Sequence, residues 1–220
     1  MKEYTDVNSS KRAKGGIGKT TASTNLAAML VHDSRDVHLN DMDALQTASL
    51  WASVRDENLE KFGLTRVSSS QKVLSRQIVN IGAVIRNELI SMIPKYEDIV
   101  IDAGGTDNEA LRAALSLADI AIFPIIPSDF DIWTFGRISN LVASAQGKTG
   151  ELRAKILLNK VNTNPATAKS ELAMVDEYLN DFDNLSRLTS FLSERISVRR
   201  ASGQGLAIVE YKPADTKAID

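Results

Sequence analysis

Lys14-Gly15-Gly16-Ile17-Gly18-Lys19-Thr20-Thr21 gathers the residue types that hold a polyphosphate. Glycines let backbone N–H groups curl around phosphate oxygens where a side chain would block the approach. A helix is expected to start here, over Lys19 to Val31, and its first turn adds unpaired N–H groups and positive dipole. Lys19 can reach the β- and γ-phosphates, and the Thr20 hydroxyl can ligate Mg²⁺. At ordinary residue frequencies, a chance match to the fixed positions of K-G-G-x-G-K-T in a chain of this length is on the order of 10⁻⁵.

Three further stretches follow in order. Asp41-Met42-Asp43 comes after Val37-His38-Leu39, at the end of an expected strand. Two carboxylates at a strand end are candidates for chemistry, and their bland alternative is a turn with a helix cap. Ile99-Val100-Ile101-Asp102, followed by Ala103-Gly104-Gly105, has the form of a Walker B strand, in which an acidic residue at the carboxyl end meets a hydrated Mg²⁺. Ile156-Leu157-Leu158-Asn159-Lys160 ends a third apolar run in a side chain that both donates and accepts, although a lone Asn at a strand end is also a turn former.

These groups need a scaffold that brings strand ends to one edge. Apolar runs of strand length alternate with longer stretches of helical period, the pattern of an α/β fold with a mostly parallel sheet covered on both faces. Strands are expected at 99–101, 120–126 and 156–158, joined by right-handed crossovers. Further helices are expected over Val73–Ile93, Asn108–Leu117, Ile132–Ala145 and Thr167–Tyr178. The charged and small polar stretch Arg55–Gln71 reads as a surface connection.

The chain has 220 residues, 43% hydrophobic and 25% charged, which suits one α/β domain over 1–220. With 26 Lys+Arg against 28 Asp+Glu, the net charge of -2 disfavours a globally basic nucleic-acid binder and leaves a local patch. No cysteine is present, which excludes thiolate zinc sites, iron–sulfur clusters and cysteine nucleophiles. No apolar run approaches the roughly 20 residues of a membrane span, and Met1–Lys14 lacks an apolar signal core. The tail Lys212–Asp220 has no apolar stripe for a surface anchor. The expectation is a cytoplasmic protein.

The lysine at the start of K-G-G-x-G-K-T-T, where the ordinary P-loop pattern would begin with glycine at Ala13, resembles the deviant Walker A motif of the ParA/MinD family of P-loop ATPases. The resemblance implies that Lys14 reaches the nucleotide of a second subunit and acts there as a cation supplied in trans. It also implies a D-x-D switch in which Asp43 positions the attacking water and Asp41 supports the magnesium shell. Asp102 would meet the metal, together with Thr20. Asn159 would read the adenine edge, and Phe123-Pro124-Ile125-Ile126-Pro127-Ser128 would help form the pocket. The catalytic set implied is Lys14, Lys19 and Asp43, with ATP and Mg²⁺ bound across Lys14–Thr21.

The resemblance runs from about Lys14 to Tyr211. Missing cysteines and a missing amphipathic tail point away from the reducing and membrane-bound branches, and toward small plasmid or chromosome partition ATPases. That branch implies an ATP-dependent homodimer, non-specific DNA binding on the nucleoid, and slow hydrolysis stimulated by a centromere-binding, ParB-like adaptor. Arg195, Arg199 and Arg200, joined by Lys169 and Arg187, are the candidate phosphate contacts, against the alternative of a solvated helix face.

The sequence also departs from the family pattern. The first strand is reduced to Tyr4-Thr5-Asp6-Val7, with a charge inside it that is costly unless paired. The second is interrupted by His38 and Asn40, Ala44-Leu45 replaces the usual Pro-Gln, and the chain stops at Asp220 where relatives continue into a helix. Two other functions therefore stand beside the partition reading. One is a metabolic P-loop enzyme using ATP to activate a small carboxylate or amide substrate, and the other is a nucleotide-binding module with impaired hydrolysis.

Overall fold

The computed structural model describes residues 16–71, 81–105, 107–149 and 152–214. The expected first strand at 4–7, Lys14 and Gly15, and the start of the expected helix at 73 lie outside them. The described chain alternates helices and parallel strands. In order these are α1 (Lys19–His32), β1 (Val37–Asp41), α2 (Thr47–Glu57), α3 (Leu59–Phe62), β2 (Ser68–Gln71), α4 (Ile81–Met92), β3 (Asp98–Asp102) and α5 (Glu109–Leu115). There follow β4 (Ile120–Ile125), α6 (Asp129–Ile132), α7 (Phe135–Thr149), β5 (Arg153–Val161), α8 (Pro165–Leu179), β6 (Leu185–Ser193), α9 (Ile196–Ser202) and a 3-10 turn at Ile208–Glu210.

Two three-stranded sheets, ordered β2-β1-β3 and β4-β5-β6, are parallel throughout. Helix α1 packs on β1 and β3 and also touches β4, so it lies where the two sheets come together. The expected strands at 99–101, 120–126 and 156–158 are β3, β4 and the middle of β5. Pro124 sits in β4, an edge strand among the described residues, where a ladder N–H is dispensable. Asn108 and Asn164 start α5 and α8 by accepting from Leu111 N and from Ala166 N and Thr167 N.

Apolar side chains from both sides of the sheets supply the cores. Ile156, Leu158 and Val161 of β5 pack with Phe135, Val142 and Val175. Ala27, Ala28, Leu39 and Trp51 close α1 and α2 over β1, and Ile85, Leu89 and Ala110 join α4 to α5.

Two expectations are corrected. First, β1 is buried along its whole length despite His38 and Asn40. The reason is a polar partner: β2 runs beside it in the register His38↔Ser68 and Asn40↔Ser70. His38 bonds the Ser68 and Ser70 hydroxyls through Nδ1 and Nε2 at 3.1 and 2.8 Å, and its ring stacks on Tyr96. Asn40 Nδ2 donates to Met92 Sδ at 3.6 Å.

Second, Arg55–Gln71 is not a surface connection. It contains the end of α2, all of α3, the buried Val67 and the strand β2. Arg55 is itself 1% exposed, because its guanidinium donates to Thr65 O, Gly205 O and both oxygens of Glu210.

Candidate functional site

The sheet topology delivers the carboxyl ends of β1, β3 and β5 to the N-terminus of α1. Gly16 and Gly18 have φ of 102° and 95°, and Gly18 precedes α1 without any side-chain cap. No acidic residue occupies the first turn of α1. Its amides and dipole are thus set for an anion approaching from the loop. Gly18 is required twice over: besides its φ, a Cβ there would lie 2.1 Å from Asn159 Nδ2.

Thr20 Oγ1 donates to Asp102 Oδ2 at 2.7 Å, and Ser23 Oγ donates to Asp102 Oδ1 at 3.0 Å. Asp102 is 1% exposed. Burial pushes its carboxyl above the usual carboxylate range; the Thr20 and Ser23 hydrogen bonds pull the other way, and the charges of Asp41 and Asp43 add to the rise. Met42 N donates to Asp102 O at 2.9 Å, fixing the end of β1 against the end of β3.

Lys19 and Asp43 converge on the glycines after β3. The Lys19 ammonium lies 3.2 Å from where a Cβ on Gly105 would stand, and Asp43 Oδ2 lies 3.8 Å from that position on Gly104. A Cβ at Gly105 would press on the Lys19 ammonium, whereas one at Gly104 would meet Asp43 at ordinary contact distance. Asp43 Oδ1 also accepts from Leu45 N at 3.0 Å, so its carboxylate is anchored at one oxygen and faces the glycine turn with the other. Asp41 is spent differently: its oxygens accept from Asp43 N at 3.1 Å and Ser49 N at 2.8 Å, shaping the turn that presents Asp43 and starts α2.

Among the described residues no three acidic or histidine side chains gather as a metal cage. The pair Thr20 and Asp102 offers one hydroxyl and one carboxylate, which suits an ion that keeps waters and takes its remaining ligands from phosphate. The donor set therefore fits Mg²⁺ with a nucleotide better than a metal held by protein alone.

Asn159 is 9% exposed and both ends of its amide are engaged: Nδ2 donates to Ile17 O at 2.8 Å and Oδ1 accepts from Lys160 N at 2.9 Å. In this arrangement it clamps the phosphate loop from β5. Thr21 lies in α1 beside the loop, where its carbonyl accepts from Asn25 Nδ2 at 2.8 Å; Asn25 Oδ1 accepts from Ile208 N at the same distance. A cavity of about 290 Å³ opens next to Thr20 and Thr21, between α1, α2 and the end of α9, with Leu50, Trp51 and Gly203 on its walls.

The basic residues are dispersed in their use. Arg199 and Arg200 are exposed in α9, Arg195 stands at its N-cap, and Lys169 is exposed on α8. Arg187 is committed to Asp176, with bonds of 2.7 and 2.9 Å. Ser23, a partner of Asp102, belongs to none of the sequence motifs. Ser23 was in principle visible, since it lies one helical turn beyond Thr20 and hence on the same face.

Residues 12–208 match the model of the CobQ/CobB/MinD/ParA nucleotide binding domain. The maintenance of carboxysome distribution protein A of Halothiobacillus neapolitanus is 23% identical over 208 residues, covering 94% of this chain and 88% of that protein. A putative plasmid partition protein of Borrelia burgdorferi B31, solved with AMPPNP, superposes with a TM-score of 0.66 at 19% identity, over 94% of this chain and 91% of that one. Cobyrinic acid a,c-diamide synthase of Mycobacterium smegmatis, with a bound ATP analogue and magnesium, superposes with a TM-score of 0.63 at 15% identity, over 87% and 90%. With most of its length matched and a glycine loop, a helix start and strand-end acids in one place, the chain belongs to the CobQ/CobB/MinD/ParA nucleotide binding domain family.

Proposed function

We propose that this chain is an ATP-driven switch for partition or positioning of a large cargo. It binds ATP with Mg²⁺, pairs with a second copy on doing so, holds DNA non-specifically as that dimer, and hydrolyses slowly until an adaptor protein of the ParB kind stimulates it. The observation that carries this reading is the direct bond from Thr20, at the start of α1, to the buried Asp102 at the end of β3, with Lys19 and Asp43 meeting at the adjacent glycines. The likeness to a carboxysome-distribution protein and to a plasmid partition protein supports the choice of cargo work.

Lys19 and the α1 amides bind the β- and γ-phosphates, and Lys14 closes the site of the partner subunit from across the interface. Thr20 and Asp102 are the residues that would hold Mg²⁺, which when bound neutralises phosphate charge. Asp43 orients the attacking water with its unanchored oxygen, and Asp41 keeps the Asp43 turn in place through two backbone amides. Asn159 holds the loop through Ile17 O, and its reading of the adenine edge, expected from the resemblance, would require one end of its amide to leave its protein partner. Arg195, Arg199 and Arg200 contribute phosphate contacts to DNA, on a helix whose C-terminal end borders the same cavity as Thr20.

Among the described residues no helix is long and apolar enough to cross a membrane. A nucleoid-associated, cytoplasmic location goes with the DNA reading. The second reading, ATP-dependent activation of a small carboxylate, draws on the likeness to the diamide synthase and would use the same phosphate site with a different acceptor.

Retention on random-sequence duplex DNA with and without Mg·ATP, at two salt concentrations, separates the two. The partition reading expects ATP-dependent retention that weakens with salt and is lost in Lys14→Ala. ATP binding without any DNA retention would overturn it and favour the small-molecule enzyme.

A further inference from the structure

Lys160 closes the stretch Ile156–Lys160 without a role assigned to it above, and its backbone is unusual. It has φ of 57° near the end of β5, a left-handed conformation that an L side chain adopts only at a cost. The pairing of β5 with β6 is irregular at the same point, between Asn159 and Val161. In a regular strand, residues 159 and 160 would face opposite sides. Here both reach the phosphate loop: Asn159 bonds Ile17 O, and the Lys160 ammonium lies 3.8 Å from where a Cβ on Gly16 would stand. Among the described residues no carboxylate pairs with it.

We propose that Lys160 is a nucleotide-binding residue whose ammonium contacts the polyphosphate from the Gly16 side. The left-handed turn at the end of β5 is what swings it there. The Lys19 ammonium lies instead beside Gly105, so the two ammonium groups stand at different glycines of the site. A positive charge over backbone amides that already favour an anion deepens the site without another strand or helix. The inference rests on the nucleotide reading above and adds a specific contact to it.

The test is calorimetric titration of the full chain with Mg·ATP, Mg·ADP and adenosine, in wild type and in Lys160→Arg, Lys160→Met and Lys160→Gly. Lys160→Met and Lys160→Gly are expected to weaken Mg·ATP binding by about ten- to a hundredfold, with Lys160→Arg close to wild type. Lys160→Gly relieves the left-handed strain, so its Tm should equal or exceed that of wild type while its affinity falls. Affinity for Mg·ATP should also depend less steeply on salt in Lys160→Met than in wild type. Unchanged affinity in Lys160→Met and Lys160→Gly would overturn the assignment while leaving nucleotide binding intact. Equal losses in Lys160→Arg and Lys160→Met would make the residue a packing element and overturn its role as a charge. Absence of Mg·ATP binding by folded wild type would remove the underlying reading itself.

Discussion

Replacing Arg55 by methionine should cost about 3–5 kcal/mol of stability, because it breaks a buried ion pair and leaves the other half behind. The Arg55 side chain is 1% exposed and that of Glu210 is 12% exposed. Nη1 and Nη2 meet the two Glu210 oxygens at 2.8 and 2.7 Å, Nη1 also reaches Gly205 O at 3.0 Å, and Nε reaches Thr65 O at 2.9 Å. The guanidinium carbon stands 5.3 Å from the Trp51 ring centre. Methionine fills most of the volume of the arginine stem, so the cavity contribution is small and the loss is chiefly electrostatic. Glu210 keeps one other bond to the chain, from Ala207 N at 2.8 Å. Glu210→Gln in the Arg55→Met background removes the stranded charge but keeps an acceptor for that amide, and should restore about half of the loss. The assay is urea unfolding followed by fluorescence in a Trp133→Phe background. The chain has 2 tryptophans, and this leaves the buried Trp51 as reporter. A loss below about 1 kcal/mol for Arg55→Met, or no recovery in the double variant, would refute the view that this pair joins α2 to the C-terminal segment.

Three other perturbations have defined outcomes. Burial lowers the pKa of His38, so between its folded value and an unfolded value near about 6.5 the unfolded state binds more protons; urea unfolding at several pH values should show stability falling from about pH 6.5 downward, with a shallower fall in His38→Asn. Burial raises the pKa of Asp102, so the folded state binds more protons in the window above the ordinary carboxylate value and the ionised group costs stability at neutral pH; Asp102→Asn should raise Tm in thermal melts by about 2 to 4 °C, the shift given by roughly 1 kcal/mol, while abolishing Mg²⁺-dependent nucleotide binding. Gly205→Ala places a Cβ 2.4 Å from Arg55 N at φ of 71°, whereas Gly63→Ala meets nothing within 4 Å at φ of 64°; in urea unfolding the first should lose at least about 2 kcal/mol more than the second, whose cost is the left-handed conformation alone, about 1 to 2 kcal/mol.

The parts of the fold that were legible in the sequence are those whose signal is local. β3 and β4 announce themselves as apolar runs, and the phosphate loop as glycines and a lysine ahead of a periodic helix. β1 looks interrupted and β2 looks like a loop because each is wrong alone and right together: the histidine of one strand is answered by two serines of the next, while Asn40 finds Met92. Arg55 looked like surface because charge usually is, and its partner Glu210 lies 155 positions away. α2 has little periodicity to show, since Trp51 and Arg55 bury one face while Leu50 stays exposed on the other. In the site, Thr20 bonds Asp102, and Lys19 and Asp43 lie beside the neighbouring glycines Gly105 and Gly104. Asn159 was expected to face the base, and the structure turns both ends of its amide to protein. The partner, Ile17 O, lies 142 positions away, so no residue type within the strand foretells the contact.

The proposed function requires a triphosphate to seat itself on the amides of Gly16–Thr21 beside Lys19. Titration of the folded chain with ATP and Mg²⁺ in a calorimeter examines that step directly, with Lys19→Ala as the comparison. Saturable one-site heat is expected in the wild type, with its loss in Lys19→Ala at unchanged Tm. Flat heat from folded wild type, or the same isotherm from both proteins, would contradict that function.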